Sequence, residues 1–488
     1  MSHQIEVVLV SNRGPVSFAR TEEGFETRRG AGGLAGALDP VARRLGAGAT
    51  WIAAATSASD RAAIEAGEAA KLEEQLGYPV RLLNIEPNAY ARYYNDVSNR
   101  MLWFANHCLW DEVDVREFGD EELSAFNDAY DPVNRQFSHA AAETGGKGSF
   151  VLLQDYHLST APRHLRAMRP DQIISHFTHS SFCGPEGLEP LPDPVPRAIV
   201  EGMLGADLLG FHVNPWAVGF LRCAEAVGAK VDWGAGTVDH ENRRTWVRCY
   251  PIQVDAKELQ ARAHKEQASA WARSFEEEIT GPLVVRADRS EPSKNILRGF
   301  EAFGLLLDRR EDLRGKARFL ACLYPSRQDL REYRRYTQRL REVVQRVNYR
   351  HPGSINFILE DDYDRTLGAM LVYDVLLVNS IMDGMNLVSK EGVAVNERGG
   401  VLVLSKTAGS YEELGHHALT IEDPLSVEET AHVLERAIEM PAGERHRRAQ
   451  ALREIVTGHD LDMWIEAQLD DLRAIKDGGE PKTPAPRS

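Results

Sequence analysis

The residues best suited to chemistry in this 488-residue sequence lie in the stretch DGMNLVSKEG, which follows the apolar run VYDVLLVNS. Asp383 and Glu391 stand eight positions apart, and Gly384 directly follows the first acid. Gly384 permits a tight turn, and the N–H groups of residues 385–387 would point outward at a helix start. Two acids do not suit a phosphate, but their oxygens can accept hydrogen bonds from sugar hydroxyls. The stretch therefore predicts polyol recognition beside a phosphate site; the alternative is a solvated helix cap.

A pair of cations in RADRSEPSKN could serve that phosphate. Arg289 and Lys294 lie five positions apart after a strand-like run, and Pro292 stiffens the turn between them. Arginine offers a planar fork of donors and lysine a point charge, a combination that suits a diphosphate. The alternative is two solvated surface charges, which this stretch alone does not exclude.

A glycine-rich stretch, RRGAGGLAGAL (28–38), also fits a phosphate-binding loop or a structural turn. Its glycines would let backbone N–H groups and a helix start approach a phosphate. Residues 30–35 match the G-x-G-x-x-A pattern of dinucleotide-binding proteins. However, the preceding strand lies about 20 residues away, and no acid occurs at 50–56 to hold a ribose. A nicotinamide-dependent enzyme is therefore not predicted.

Acid–base and metal-binding residue types occur in two further stretches. Asp155 and His157 in QDYHL could form an acid–base pair, but a capping acid beside a packed histidine is the favoured alternative. The same caution applies to His179. Asp362 and Asp364 in LEDDYD match a D-x-D metal pair, yet acids are common in the first turn of a helix. A helix-capping loop is the favoured interpretation there.

Short apolar runs alternating with longer amphipathic stretches form the frame that must position these residues. Nearly continuous apolar strands separated by helices indicate parallel sheets covered on both faces. Two such sets predict an α/β fold with two Rossmann-like domains, and a site in the cleft between them, beyond the carboxyl ends of strands. The strand-like runs are 5–11, 50–55, 149–154, 173–178, 206–211, 282–287, 317–324, 354–359, 372–380 and 399–405.

The predicted organisation has four parts, with the passage RRTWVRCYPIQVDAKEL around Pro251 as the interdomain connection. Residues 325–350 form the longest predicted helix and carry a basic, solvated face. The Pro-, Gly- and charge-rich end predicts a disordered tail. The parts are an N-terminal domain (1–250), a C-terminal domain (251–455), a helix packing back on the N-terminal domain (456–476) and the tail (477–488).

The composition is that of a folded protein, with 43% hydrophobic residues. The net charge of −16 argues against a nucleic-acid or an anionic membrane surface as partner. No apolar run is long enough to span a membrane, so a cytoplasmic protein is expected. The five scattered cysteines form no CxxC pair, which predicts reduced, mostly buried thiols without a zinc site or a disulfide.

Taken together in order over about residues 5–470, the motifs resemble the trehalose-6-phosphate synthases, retaining nucleotide-sugar glycosyltransferases of family 20 with the two-domain GT-B fold. The stretches that carry the resemblance are VSNRGP, GGLAGAL, YYNDVSNRMLW, QDYHL, GADLLGFH, YPI, DRSEPSKN, YPSRQDLREY, DGMNLVSKE and VLSKTAG. No one of them suffices, but ten in matching order make a chance match very rare.

The resemblance implies which residues hold the nucleotide-sugar donor. Arg289 and Lys294 would neutralise the diphosphate leaving group, and Asp383 would hold the donor glucose. His179 would sit at the transferred sugar. The remaining donor contacts would come from Gly32, Gly33, Met385, Asn386, Leu387 and, on the ribose, Glu391.

The resemblance also implies an acceptor site for a phosphorylated sugar. Arg13 and Arg327 would grip the 6-phosphate, and Pro251 with Ile252 would form a hinge for domain closure. The other acceptor residues would be Tyr94, Trp103 and Asp155.

The predicted activity is transfer of glucose from UDP-glucose or GDP-glucose to glucose 6-phosphate, without a metal or other cofactor. Three departures from the family pattern, Ala54, Met382 and the loop after His179, leave open another phosphorylated polyol or cyclitol as acceptor. A non-catalytic sugar-phosphate sensor is a further alternative, although the donor residues are intact. The nucleotide base and the oligomeric state, with a homo-oligomer as one possibility, are not readable from these residues.

Overall fold

The computed structural model describes residues 6–22, 24–29, 33–112, 118–279 and 281–487. The chain divides into two compact units. Unit 1 comprises Met1–Pro251 with Asp462–Ser488, and unit 2 comprises Ile252–Leu461. Within the described ranges, no helix combines the length and the apolar character needed to cross a lipid bilayer.

Unit 1 is built on a nine-stranded sheet in the order β5-β4-β1-β6-β7-β8-β11-β10-β9. The strand pairs from β5 through β11 are parallel. At the other edge, β10 pairs antiparallel with both β11 and β9. A separate antiparallel hairpin, β2–β3, precedes the first helix. The strands are β1 (Val7–Val10), β2 (Val16–Thr21), β3 (Gly24–Arg29), β4 (Ala49–Ala54), β5 (Val80–Leu83), β6 (Phe150–Gln154), β7 (Ile173–Thr178), β8 (Leu208–Phe211), β9 (Lys230–Asp232), β10 (Thr237–His240) and β11 (Arg243–Cys249).

Helices connect the parallel strands of unit 1, as right-handed crossover connections require. Two π-helical segments, Arg92–Leu102 and Phe126–Tyr130, interrupt the longer helical stretches. The α-helices are α1 (Gly33–Leu45), α2 (Ala58–Glu65), α3 (Leu72–Leu76), α4 (Pro87–Ala91), α5 (Trp103–Asn106), α6 (Asp120–Ala125), α7 (Asp131–Thr144), α8 (Ala161–Met168), α9 (Pro185–Leu188), α10 (Val195–Met203) and α11 (Asn214–Ala226).

Unit 2 has a six-stranded sheet in the order β14-β13-β12-β15-β16-β17, and every described pair in it is parallel. Its strands are β12 (Leu283–Arg289), β13 (Arg318–Tyr324), β14 (Ile355–Leu359), β15 (Val375–Val378), β16 (Val401–Ser405) and β17 (Leu419–Ile421). Its helices are α12 (Ala256–Ala263), α13 (Glu266–Glu278), α14 (Ile296–Arg309), α15 (Arg331–Arg350), α16 (Tyr363–Val372), α17 (Leu387–Val395), α18 (Tyr411–Leu414), α19 (Val427–Glu439) and α20 (Ala442–Thr457).

The sheet of unit 2 is covered on both faces, which explains its nearly continuous apolar strands. In β12, Leu283, Val285 and Ala287 join a core cluster with α13, α16 and α17. The alternate residue Val284 joins a second cluster with α14, α15 and α19. Each predicted strand-like run overlaps a strand of one of the two sheets, so the prediction of α/β units with parallel sheets is confirmed.

Three sequence-based expectations are wrong. Residues 243–249 of the expected connection form β11, because they pair with β8 inside the sheet. The described residues of the tail after 476 are ordered, since the N–H groups of Lys482 and Thr483 donate to Asp471 in helix α21 (Leu461–Lys476). Cys108 and Cys183 form a disulfide with a Cα–Cα distance of 6.4 Å, whereas free thiols were expected. The tertiary fold brings these cysteines together across 75 residues, which spacing does not reveal.

Candidate functional site

The predicted phosphate and polyol residues of unit 2 follow two neighbouring strands. β12 and β15 are adjacent and parallel, so their carboxyl ends lie at the same edge of the sheet. The segment after β12 makes one 3₁₀ turn, Pro292–Lys294, and ends at Asn295 with a φ of 58°. The segment after β15 passes through the bridge between Asp383 and Ala408 before α17 begins. Parallel topology thus brings together two motifs that are about 90 residues apart.

Lys294 and Asp383 meet directly at this edge. The Lys294 Nζ lies 2.5 Å from the Asp383 Oδ2, and both side chains are only 12–13% exposed. The same oxygen accepts hydrogen bonds from Asn386 Nδ2 at 2.9 Å and Ser380 Oγ at 3.2 Å. Three donors, one of which is the Lys294 cation, therefore hold this carboxylate oxygen in place.

The DGMN turn is shaped by close backbone packing and by a helix cap. Asn386 has a left-handed φ of 69°, and its Oδ1 accepts from the N–H of Ser389 to cap α17. A Cβ at Gly409 would lie 2.1 Å from the carbonyl oxygen of Gly384, so only glycine fits there. Of the predicted amides, Met385 is buried and Leu387 is the first residue of α17. The turn therefore holds Asp383 rigidly ahead of the N-terminus of α17.

Arg289 and Arg327 share one buried carboxylate. Their guanidinium groups lie 3.0 Å and 3.5 Å from Glu291 Oε1, which also accepts from Ser326 Oγ at 2.7 Å. Burial alone would raise the pKa of Glu291, but the charges of Arg289, Arg327 and Lys294 lower it to about 2. Arg327 also donates to the hydroxyl of Tyr333. Sequence reasoning missed Glu291, although an acid between two cations in RSEPSK was the available signal.

Glu391 lies on α17, one turn after its start. Burial raises the pKa of its carboxyl group to about 7. A carboxyl group with that pKa changes charge near neutral pH, and it ionises more fully when a ligand donates hydrogen bonds to it. The preceding residue, Lys390, was also missed. It is buried and pairs with Glu413 at 2.5 Å.

The predicted residues of unit 1 form their own cluster at the carboxyl end of β6. Asp155 has a φ of 70°, a strained conformation for a residue other than glycine. Its Oδ1 accepts from the N–H groups of His179 at 3.1 Å and Ser180 at 3.4 Å. Its Oδ2 lies 3.8 Å from His157 Nδ1. Asp155 thus fixes the start of the loop after β7.

Arg13 and Tyr94 extend this cluster. Arg13 Nη2 donates to the Tyr94 hydroxyl at 3.0 Å, and the Tyr94 ring stacks on that of His157 at 5.8 Å. Arg13 is exposed, so its remaining donors can meet a ligand. Trp103 is buried and stacks on His107 at 4.3 Å. Of the two predicted loop glycines, Gly33 starts α1 and Gly32 lies outside the described residues.

His179 is a neutral imidazole at physiological pH. Burial, together with nearby His212 and His176, holds its pKa well below the ordinary value. Its Nε2–H donates to Gln154 Oε1 at 2.9 Å. The ring also packs 6.0 Å from that of Trp464 in α21, within unit 1. Neutral His179 therefore acts as a hydrogen-bonding group here, not as a cation.

The D-x-D pair has a structural role, as the favoured interpretation predicted. Asp362 caps α16 by accepting from the N–H of Arg365 at 2.9 Å. Asp364 pairs with Arg262 at 3.1 Å. Within the described ranges, no group of three or more His, Cys, Asp or Glu side chains is arranged to bind a metal.

Comparison with known proteins agrees with these features. The family model described as glycosyltransferase family 20 matches residues 5–474. A trehalose-6-phosphate synthase of Mycolicibacterium smegmatis is 32% identical over 99% of this chain and 96% of its own length. One of Mycobacterium bovis is 31% identical over 97% of this chain and 96% of its own.

Solved structures of similar proteins have the same fold. An α,α-trehalose 6-phosphate synthase of Burkholderia multivorans aligns with a TM-score of 0.82 and 25% identity, covering 98% of both chains. A UDP-forming α,α-trehalose-phosphate synthase of Burkholderia vietnamiensis aligns with a TM-score of 0.80 and 25% identity, covering 96% of this chain and 99% of its own. The predicted GT-B fold class is thereby confirmed. The chain belongs to glycosyltransferase family 20.

Proposed function

We propose that the protein transfers glucose from a nucleotide-glucose donor to glucose 6-phosphate with retention of configuration. The products are α,α-trehalose 6-phosphate and the nucleotide diphosphate. The observation that carries the proposal is the Lys294–Asp383 pair. It places a cation, which can stabilise a leaving phosphate, beside a carboxylate, which can accept hydrogen bonds from sugar hydroxyls. Family membership and the names of the relatives support the same reaction.

The donor is held by the edge of the sheet in unit 2. Lys294 and Arg289 stabilise the diphosphate as its bond to glucose breaks, because negative charge develops on the leaving oxygen. Asp383 accepts hydrogen bonds from glucose hydroxyls, and Glu391 accepts them from the ribose. Gly32 and Gly33 bring backbone N–H groups to the phosphates.

Transfer with retention needs no nucleophile from the protein. The leaving phosphate oxygen takes the proton of the acceptor hydroxyl, while the acceptor oxygen bonds to the anomeric carbon on the same face. The protein's part is to hold the two substrates and to stabilise the separating charges. We propose that cations and the start of α17 do this without a metal or another cofactor.

The acceptor is held through its phosphate and its hydroxyl groups. Arg13 and Arg327 bind the 6-phosphate, since arginine offers paired donors to phosphate oxygens. Tyr94, Trp103 and Asp155 complete this set, and neutral His179 hydrogen-bonds the transferred glucose. The exposed Arg13 keeps donors available beyond its bond to Tyr94.

UDP-glucose is the favoured donor, because the Burkholderia vietnamiensis relative is described as UDP-forming. GDP-glucose is the second donor to be assayed. We place the protein in the cytoplasm, where nucleotide sugars and sugar phosphates are produced.

The decisive experiment incubates purified protein with each nucleotide-glucose and glucose 6-phosphate, and identifies the product by mass and by NMR. We expect a disaccharide phosphate with two α-linked anomeric carbons. Absence of product with both donors, while the protein is folded and binds UDP, would refute the proposed reaction.

A second candidate is a family member that uses another phosphorylated polyol or cyclitol. Ala54, buried at the end of β4, and the loop after His179, tethered by the disulfide at Cys183, motivate it. A panel of phosphorylated acceptors separates the two functions. The second is excluded if glucose 6-phosphate gives by far the highest kcat/KM.

A further inference from the structure

Arg286 is a fully buried arginine in the middle of β12, where the apolar sequence pattern predicts only core packing. Its side chain is 0% exposed, and its strand neighbours Val285 and Ala287 belong to the hydrophobic core. A buried guanidinium is strongly destabilising unless its N–H groups are paired. Its presence in a central strand therefore requires a set of partners.

Its partners are Asp288 in β12 itself and one residue on each of the two loops that carry the donor residues. Arg286 Nε and Nη2 lie 2.9 Å and 2.8 Å from Asp288 Oδ2. Nη1 donates to Asn379 Oδ1 at 3.0 Å, and Nη2 donates to the carbonyl oxygen of Lys294 at 2.8 Å. One planar side chain thus joins the backbone of Lys294 to the end of β15.

Asn295 and Asn379 add a second connection. Asn295 Nδ2 donates to the carbonyl oxygen of Asn379 at 2.9 Å, and Asn379 Nδ2 donates to that of Asn295 at 3.2 Å. Lys294 and the next residue are therefore both fixed to the end of β15, four residues before Asp383. The Lys294–Asp383 contact lies where these two anchored loops meet.

Gly299, in the first turn of α14, leaves the space that Arg286 needs. A Cβ at this position would lie 2.7 Å from Arg286 Nη1 and 3.5 Å from Asn379 Oδ1. Even a methyl group would displace the guanidinium or the helix. Close packing against α14 therefore constrains the Arg286 guanidinium group in addition to its hydrogen bonds.

We infer that Arg286 is a positioning residue for Lys294. The hydrogen bonds of its guanidinium group hold the lysine where it can contact Asp383 and the leaving diphosphate. This inference rests on the proposed function. Arg286 is buried behind the loop and acts through the Lys294 carbonyl. Because a misplacement of about 1 Å can lower a rate about 10²-fold, loss of the fork acts on kcat.

The main test is the double variant Arg286→Met/Asp288→Asn, which removes the fork without leaving an unpaired buried carboxylate. We expect kcat to fall about 10²-fold and the Kd for UDP, measured by calorimetry, to rise about 10-fold. The KM for glucose 6-phosphate should change less than about 2-fold. Circular dichroism first establishes that the variant is folded at the assay temperature.

The matched control is Arg248→Met in unit 1. Arg248 is also a buried strand arginine, but its Nη1 donates to the carbonyl oxygens of Ala235 and Gly236. We expect this control to lower the Tm while kcat and UDP affinity stay as in the wild type. An equal fall of kcat in Arg248→Met and the double variant would overturn the inference. The fall would then follow from losing any buried strand arginine and not from the positioning of Lys294.

Two single variants keep the inference testable if the double variant does not fold. Arg286→Lys retains a cation but not the fork, and should lower kcat at least 10-fold. Gly299→Ala retains every hydrogen-bonding residue of the network, and should lower kcat about 10-fold by displacing the guanidinium. Wild-type kcat and UDP affinity in a folded Arg286→Lys or double variant would overturn the inference.

A failure of the proposed function can be told apart from a failure of the inference about Arg286. If the wild type binds UDP but forms no disaccharide phosphate, the proposed function fails and calorimetry still decides the role of Arg286. Weaker UDP binding in the folded double variant then supports positioning of Lys294, and unchanged binding refutes it.

Discussion

Substitution of Glu291 by glutamine should destabilise unit 2 selectively. The Glu291 carboxylate is 1% exposed and contacts two arginines, Arg289 and Arg327. Glutamine keeps the shape of the side chain and can still accept from Ser326. It removes the charge, so two cations lose their shared counterion.

The magnitude follows from the pKa of the carboxyl group. The nearby charges of Arg289, Arg327 and Lys294 outweigh burial and lower the pKa of Glu291 from 4.5 to about 2. At about 1.4 kcal/mol per pKa unit, the folded state favours the carboxylate over a neutral group by about 3 kcal/mol. Glu291→Gln should therefore lower the free energy of unfolding of unit 2 by about 3 kcal/mol at pH 7.

Amide hydrogen exchange measures this change in each unit separately, which a single unfolding curve for a two-unit chain cannot do. Buried amides of β12 and β13 should exchange about 10²-fold faster in the variant, and those of β1 and β6 in unit 1 should not change. Glu301→Gln is the matched control, because Glu301 also lies 3.0 Å from an arginine, Arg346, but on an exposed helix face. Its effect should be below about 0.5 kcal/mol.

The pH dependence has a defined sign. Because the folded-state pKa of Glu291 is depressed, its contribution is present above the ordinary pKa of 4.5 and is lost as pH falls towards about 2. The ratio of the β12 amide exchange rate in the variant to that in the wild type should narrow from about 10²-fold at pH 7 to about 10-fold at pH 3. Equal exchange at pH 7, or a difference that does not narrow at pH 3, would refute the assigned electrostatics.

Three further predictions concern the proposed reaction. Lys294→Ala should lower kcat by about 10²–10³-fold in steady-state assays, the scale for losing one preorganised charge-stabilising group, and an unchanged kcat would contradict its role. Arg327→Ala should chiefly raise the KM for glucose 6-phosphate, whereas a change confined to the donor KM would place Arg327 on the donor. Burial raises the pKa of Glu391 to about 7, so the donor KM should fall as pH rises from 6 to 8 and the carboxylate forms. A Glu391→Gln variant should show a flat donor KM over this range, and an equal slope in both proteins would exclude Glu391 as the titrating group.

Most strands were predictable because burial on both faces leaves a clear mark in the sequence. Runs such as 282–287 and 399–405 are apolar at nearly every position, and they became β12 and β16. Parallel strands need helical connections, so the alternation of short apolar runs and amphipathic stretches also predicted the α/β class. Seven strands lie outside the predicted runs, namely β2, β3, β5, β9, β10, β11 and β17. Of these, the hairpin β2–β3 and the edge strand β9 are largely unburied, and such strands carry no such mark.

Contacts between distant segments were not predictable from local pattern. The pairing of Cys108 with Cys183, the anchoring of the tail on Asp471 and the sharing of Glu291 by two arginines all depend on tertiary placement. The same holds for Arg286, whose place in an apolar strand gives no sign of its partners.

The sequence by itself determined the fold class, most strands and the residue types of the donor motifs, because periodicity and spacing act over a few residues. The tertiary structure decided which of these residues touch. Lys294 and Asp383 form a pair because β12 and β15, which are far apart in the chain, are neighbours in a parallel sheet. Charge and hydrogen bonding act over a few ångströms, so only the folded chain turns separate motifs into one arrangement of charges.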